Sequence, residues 1–150
     1  MLSVFASALK DGYDVYSFFN SNGIPILTQY YNDCKNTIPQ GIQQIYEKTH
    51  FHDWLLTQLN ITNEELHLVL IQSQDEKTVT IGFEGISSLR LDNAFTSEPF
   101  STPIDKRKIP HLSQVLDVWF AKDSDIHMLI VLSDGLISIA CKKITLLDLS

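Results

Sequence analysis

The feature that most constrains this chain is a change of rhythm at His52-Asp53. Before it, apolar residues recur every three or four positions; after it, they recur every two. The first spacing keeps one face of an α-helix apolar and the second keeps one face of a β-strand apolar. A single switch of this kind predicts an α+β fold: short helices over about 1–50, then an antiparallel β-sheet meander of about seven strands over about 53–150. The 150 residues suit one domain with a continuous core, because a chain of this length buries roughly 68–70% of its unfolded surface.

Three helices are predicted. Tyr13, Tyr16 and Phe19 step by threes within 11–22, ahead of Asn20-Ser-Asn-Gly23. Pro25 is placed to open a second, with Ile26, Leu27, Tyr30, Tyr31 and Cys34 as its buried stripe, and Lys35-Asn-Thr37 ends it. A third runs from Pro39 to about Thr49, with Ile42, Ile45 and Tyr46 opposed to Gln43, Gln44, Glu47 and Lys48. Gly41 weakens it by about 1 kcal/mol relative to Ala without breaking the period.

Strands are predicted over 54–61, 66–73, 78–84, 86–91, 111–120, 126–133 and 136–142. The first four read as one meander, with a reversal or bulge at Gly85. Leu66, Leu68 and Leu70 alternate with Val69 and Ile71, so the second strand is expected to be covered on both faces. Asp134-Gly135 is a hairpin signal, since both residues tolerate positive φ. Between the two groups of strands, 93–110 carries Pro99, Pro103, Pro110 and Lys106-Arg-Lys108 and reads as a long loop.

Charge narrows the partners. Eighteen acidic against eleven basic side chains give a net charge of −7, which repels nucleic-acid backbones and anionic lipid and is compatible with a basic protein partner. Cys34 and Cys141 lie in no metal or redox spacing and read as buried thiols of a reducing, cytoplasmic protein. The first nine residues lack the basic flank of a signal peptide, and no apolar run reaches the roughly 20 residues a membrane span needs.

Chemistry is sparsely signalled. His50, His52 and Asp53 form the most metal-like cluster, because His-x-His on an extended segment turns two imidazoles to one side. A third ligand would have to come from His67, His111 or His127, none at diagnostic spacing. The His-Asp pair resembles that of metal-dependent phosphohydrolases, but those carry it on a helix, whereas strand-like Trp-Leu-Leu-Thr follows here. The alternative role is structural: Asp53 turns the chain and His52 satisfies a backbone carbonyl. No nucleophile elbow, dinucleotide fingerprint or phosphate loop is present, so neither a catalytic set nor a cofactor is expected.

Phe51-His52-Asp53, Leu66-His-Leu-Val-Leu70, Val79-Thr-Ile-Gly-Phe83 and Ile86-Ser-Ser-Leu-Arg-Leu91 together resemble a diffuse group of small bacterial α+β proteins. In that group a helical N-terminus ends in a His-Asp pair and a strand meander follows. Some of its members look like immunity proteins of polymorphic toxin systems. The resemblance implies a non-enzymatic module that neutralises a basic toxin domain by occlusion, and it supplies no catalytic residues. In an up-and-down sheet, Glu64, Glu65, Glu84, Asp123 and Asp125 gather at one end and form the candidate partner surface. The competing expectations are a small metal-dependent hydrolase centred on His50, His52 and Asp53, and a structural or phage accessory subunit that works as an oligomer.

Overall fold

The computed structural model of the protein describes residues 24–62, 65–72, 74, 76–93, 113–133 and 135–150. The helix expected over 11–22 and, apart from Asn93, the loop expected over 93–110 lie outside these residues, as do Glu64, His111 and Asp134. Helix α1 spans Ile24–Cys34, and its Leu27, Tyr31 and Cys34 are buried at steps of four and three. A turn of 3-10 helix, Lys35–Thr37, follows it. There the Thr37 hydroxyl donates to the Cys34 carbonyl (2.7 Å), and the Gln43 amide donates to the carbonyls of Lys35 (2.8 Å) and Ile38 (2.7 Å). These bonds satisfy the carbonyls that a helix end leaves open. Helix α2 spans Gln40–Thr49 after Pro39 and buries Ile42 and Tyr46. Both helices fall where their apolar stripes place them. Among the described residues no helix is long and apolar enough to cross a membrane.

Eight strands follow: β1 Leu55–Thr62, β2 Glu65–Gln72, β3 Lys77–Glu84, β4 Ser88–Asn93, β5 Ser113–Lys122, β6 Ile126–Leu132, β7 Gly135–Cys141 and β8 Lys143–Leu149. They form one antiparallel sheet in the order β4-β7-β6-β5-β1-β2-β3-β8. The eighth strand is additional to the seven expected, since Lys142-Lys143 looks like an end but is a bend through which the chain continues in extended form. A hairpin does join β6 to β7, but Gly135 is the first residue of β7, opposite Leu132, and lacks the positive φ expected of it as a turn residue.

The sheet closes on itself. The segments β3 to β4 and β7 to β8 are each one bent strand, at Gly85 and Lys142, and they pair along their whole length. Lys142 N–H donates to the Glu84 carbonyl (3.0 Å) and Ser87 N–H to the Ala140 carbonyl (2.9 Å), so the ladder runs through the bend. Counting each bent strand once, six strands surround one interior, a small barrel filled by side chains. This corrects the expected four-strand meander. After β1-β2-β3 the chain bends at Gly85 instead of reversing, and β4 pairs with β7 far along the sequence. Gly85 has φ of 66°, a region that an L side chain rarely occupies.

Inside the barrel, Leu56, Leu66, Leu68, Leu70, Ile81, Phe83, Phe120 and Ile130 meet in one core, which Tyr31, Ile42, Tyr46 and Phe51 extend. A second cluster, Leu27, Trp119, Leu129, Val131 and Leu136, lies on the outside of β5-β6-β7 beneath α1. The doubly covered strand is therefore β6, all seven of whose residues are buried. The expectation for β2 fails on one face: Leu66, Leu68 and Leu70 are buried, but His67, Val69 and Ile71 are only partly covered. Alternation of two kinds of apolar residue was a weaker sign of double burial than the unbroken run Ile-His-Met-Leu-Ile-Val-Leu.

Candidate functional site

The barrel's bend is where the acidic candidates come together. Glu65, the first residue of β2, lies directly opposite Glu84, the last of β3, and Glu84 lies opposite Lys143, the first of β8. Two residues of one sign facing each other across antiparallel strands destabilise the pairing. His67 lies two residues along β2 from Glu65, on the same face, and places Nε2 3.0 Å from its carboxylate. Along the bent strand, Lys142 contacts Asp125 through Nζ to Oδ1 (2.5 Å), and the Ser87 hydroxyl donates to Asp125 Oδ2 (2.6 Å). The consecutive lysines 142 and 143 thus stand between two acidic pairs. The surface is mixed in charge, whereas the turns alone predicted a distinctly acidic end.

Asp123 and Asp125 have work inside the fold. Asp123 Oδ1 accepts the N–H of Asp125 (2.9 Å) and a bond from Nε2 of His127 (2.8 Å), whose ring is buried against the sheet. The bond from the Asp125 backbone, with His127 second, holds the Asp123 carboxyl well below the usual carboxylate range. Asp125 is likewise held low, chiefly by Lys142 and then by Ser87, and Lys142 is raised in return by Asp125. Hairpin turns favour aspartate for a backbone bond such as that of Asp123, and Asp125 is held by the Ser87 and Lys142 side chains, so both residues have contacts within the fold. Glu65 has the His67 contact, and among the described residues neither Glu65 nor Glu84 accepts a backbone N–H through its carboxylate.

The His-Asp cluster lies at the C-terminal end of α2, in the turn that leads into β1. His50 ends α2 in the left-handed conformation, and His50, Phe51 and Asp53 all have positive φ, of 53°, 56° and 68°. Histidine and aspartate tolerate this region, but phenylalanine does not. Phe51 is held there by complete burial, edge-on to Trp54 at 5.3 Å, and by the ties of the turn to β5. Asp53 N–H donates to the Val115 carbonyl (2.9 Å) and Val115 N–H to the Trp54 carbonyl (2.8 Å).

Two of the three candidate ligands are brought together, His52 Nε2 lying 3.5 Å from Asp53 Oδ1, and each of the three has a further partner of its own. His50 stacks on Tyr46 at 4.3 Å and puts Nδ1 3.0 Å from Asp117 Oδ1. His52 Nδ1 donates to the Leu116 carbonyl (2.7 Å), the structural role its position allowed. Asp53 Oδ1 accepts the Gln114 amide (2.6 Å). Asp117 also accepts the Val118 N–H (2.8 Å), at the bulge where β5 shifts register against β6. Among the described residues, no group of three or more His, Cys, Asp and Glu side chains is arranged to hold a metal ion. Asp117 and Gln114 were missed because neither has a sequence signal and both reach the turn from 61 or more residues away.

A groove opens between α2 and the far ends of β3 and β8. Gly41, Gln44, Ile45 and Lys48 share one face of α2, and Lys77, Leu149 and Ser150 complete the walls around about 360 Å³. The glycine has a packing reason: a Cβ at Gly41 would lie 2.6 Å from Leu146 Cδ2. No protein-family model matches the chain, and no curated protein matches it closely enough to count as a relative.

Proposed function

We propose that this chain is a non-enzymatic protein-binding module whose bend receives a basic partner, in its most specific form an immunity protein that occludes a basic toxin domain. The observation that carries the reading is Glu65 placed directly opposite Glu84 at the barrel's surface. Such a pair opposes folding, and a cationic partner would relieve it. Lys143 and His67 offset part of the repulsion within the chain. The net charge of −7 acts in the same direction, drawing basic partners and speeding encounter.

The test separates binding from stability. Glu65→Gln and Glu84→Gln should leave the thermal midpoint unchanged or slightly raised, while reducing capture of basic proteins from the source cell and flattening the salt dependence of that capture. Asp123 and Asp125 are left intact, because reversing them disturbs the fold itself. The reading falls if the double variant captures the same partners with the same salt dependence as the parent.

A further inference from the structure

We infer a second binding site, for a small amphipathic anion, in the groove between α2 and the ends of β3 and β8. It lies at the other end of β3 from Glu84, roughly 23 Å away by the rise of an extended strand. The inference is independent of the protein-binding reading.

The floor of the groove is apolar. Ile45 is partly buried against the main core, Leu149 is 47% exposed, and Gly41 presents no side chain. Leu149 pairs with Val79, so it belongs to the inward face of the barrel wall and is left uncovered where the wall ends. Ser150 is held by Thr78 through both backbone groups (2.9 and 2.8 Å), so the rim on that side is fixed by the ladder. A volume of about 360 Å³ falls in the range of small-molecule pockets.

The charged side chains that line the rim are both lysines. Lys48 and Lys77, from different elements, are both exposed, and neither has an ion-pair partner among the described residues. Together they place two positive charges on either side of an apolar slot in a chain whose net charge is −7. Gln44, on the same face of α2, adds an amide that can donate or accept. An apolar floor with cationic walls complements a ligand with an apolar body and an anionic head, and a medium-chain carboxylate has that chemistry. A purely apolar ligand would leave the lysines unused, and a small inorganic anion would leave Ile45 and Leu149 uncovered.

The experiment titrates the full chain with decanoate, below its micelle concentration, by calorimetry or by amide chemical shifts. Decanol and butyrate serve as probes of the tail and the head alone. Saturable decanoate binding is expected, with both controls weaker. Lys48→Gln combined with Lys77→Gln should weaken decanoate by about tenfold, as the loss of two partly exposed charge contacts predicts. These side chains are exposed, so the variant folds, which an unchanged thermal midpoint would verify. Leu149→Ser supplies the second arm and should weaken decanoate and decanol alike. Absence of saturation, or decanoate affinity indifferent to both variants, overturns the site. Lysine-dependent binding to anionic phosphatidylglycerol vesicles without binding of free decanoate would also overturn it, in favour of a membrane surface.

Discussion

Removing the Asp123 carboxylate tests whether this residue belongs to the fold. Asp123→Ala deletes the acceptor of two hydrogen bonds, from the Asp125 N–H and from Nε2 of His127, whose side chain is 8% exposed. A bond to a charged acceptor contributes about 1.5–3 kcal/mol when buried, and a stranded buried donor costs about 1–3 kcal/mol. Asp123 is itself 31% exposed, so water takes over part of the loss, and roughly 2 kcal/mol remains. For a domain of this size that lowers the thermal midpoint by about 4–8 °C. Asp123→Asn keeps an oxygen in place and loses only the charge, so its effect should be at most about 1 kcal/mol. The two variants also differ in pH dependence. A carboxyl whose folded pKa is depressed stabilises fully above its ordinary value of 3.8, and that stabilisation is lost as pH falls below it. Urea unfolding at pH 7, 5, 4 and 3 should therefore show the parent losing its advantage over Asp123→Asn below about pH 4. An advantage of the same size at every pH, or an alanine variant as stable as the parent, would refute the assignment and return Asp123 to the partner surface.

Other expectations follow from the same contacts. Gly85→Ala should cost roughly 1–3 kcal/mol in chemical denaturation, because φ is 66° and the new Cβ would meet Lys142 side-chain carbons at 2.8 and 2.9 Å. Phe120→Ala should cost about 3–5 kcal/mol, since Phe120 lies 5.0 Å from Tyr46 and 6.2 Å from Tyr31 where both helices meet the barrel interior. The thiols of Cys34 and Cys141 are each pushed up to about 11 by burial, so at pH 8 a thiol reagent should modify them only as fast as the protein unfolds. Rapid labelling of either in the native state would contradict the packing described for α1 and β7.

How much was legible in advance differs sharply between local and distant features. The two described helices and seven of the strands lie within a few residues of their predicted spans, because the period of apolar residues is a local property that burial of one face imposes. The role of His52 was also readable as an alternative, since a histidine beside a turn commonly satisfies a carbonyl. The partners of His50 and Asp53 were not readable: Asp117 and Gln114 approach only because β5 lies beside β1. Asp123 and Asp125 looked equivalent to Glu65 and Glu84 as turn acids, and only the contacts with His127, Ser87 and Lys142 tell them apart.

By itself, the sequence determined the class of fold, the point at which helix gives way to strand, and an acidic chain without a catalytic signature. Those follow from composition and short-range periodicity. Tertiary structure decided that the sheet closes, that the bend at Gly85 and Lys142 replaces a reversal, and that β6 is the strand covered on both faces. It also decided which acids are used internally and that Lys48 and Lys77 flank one groove. The reason is common to all of these: strand pairing links residues tens of positions apart, and alternation along a strand specifies which face is buried but not which strand lies beside it.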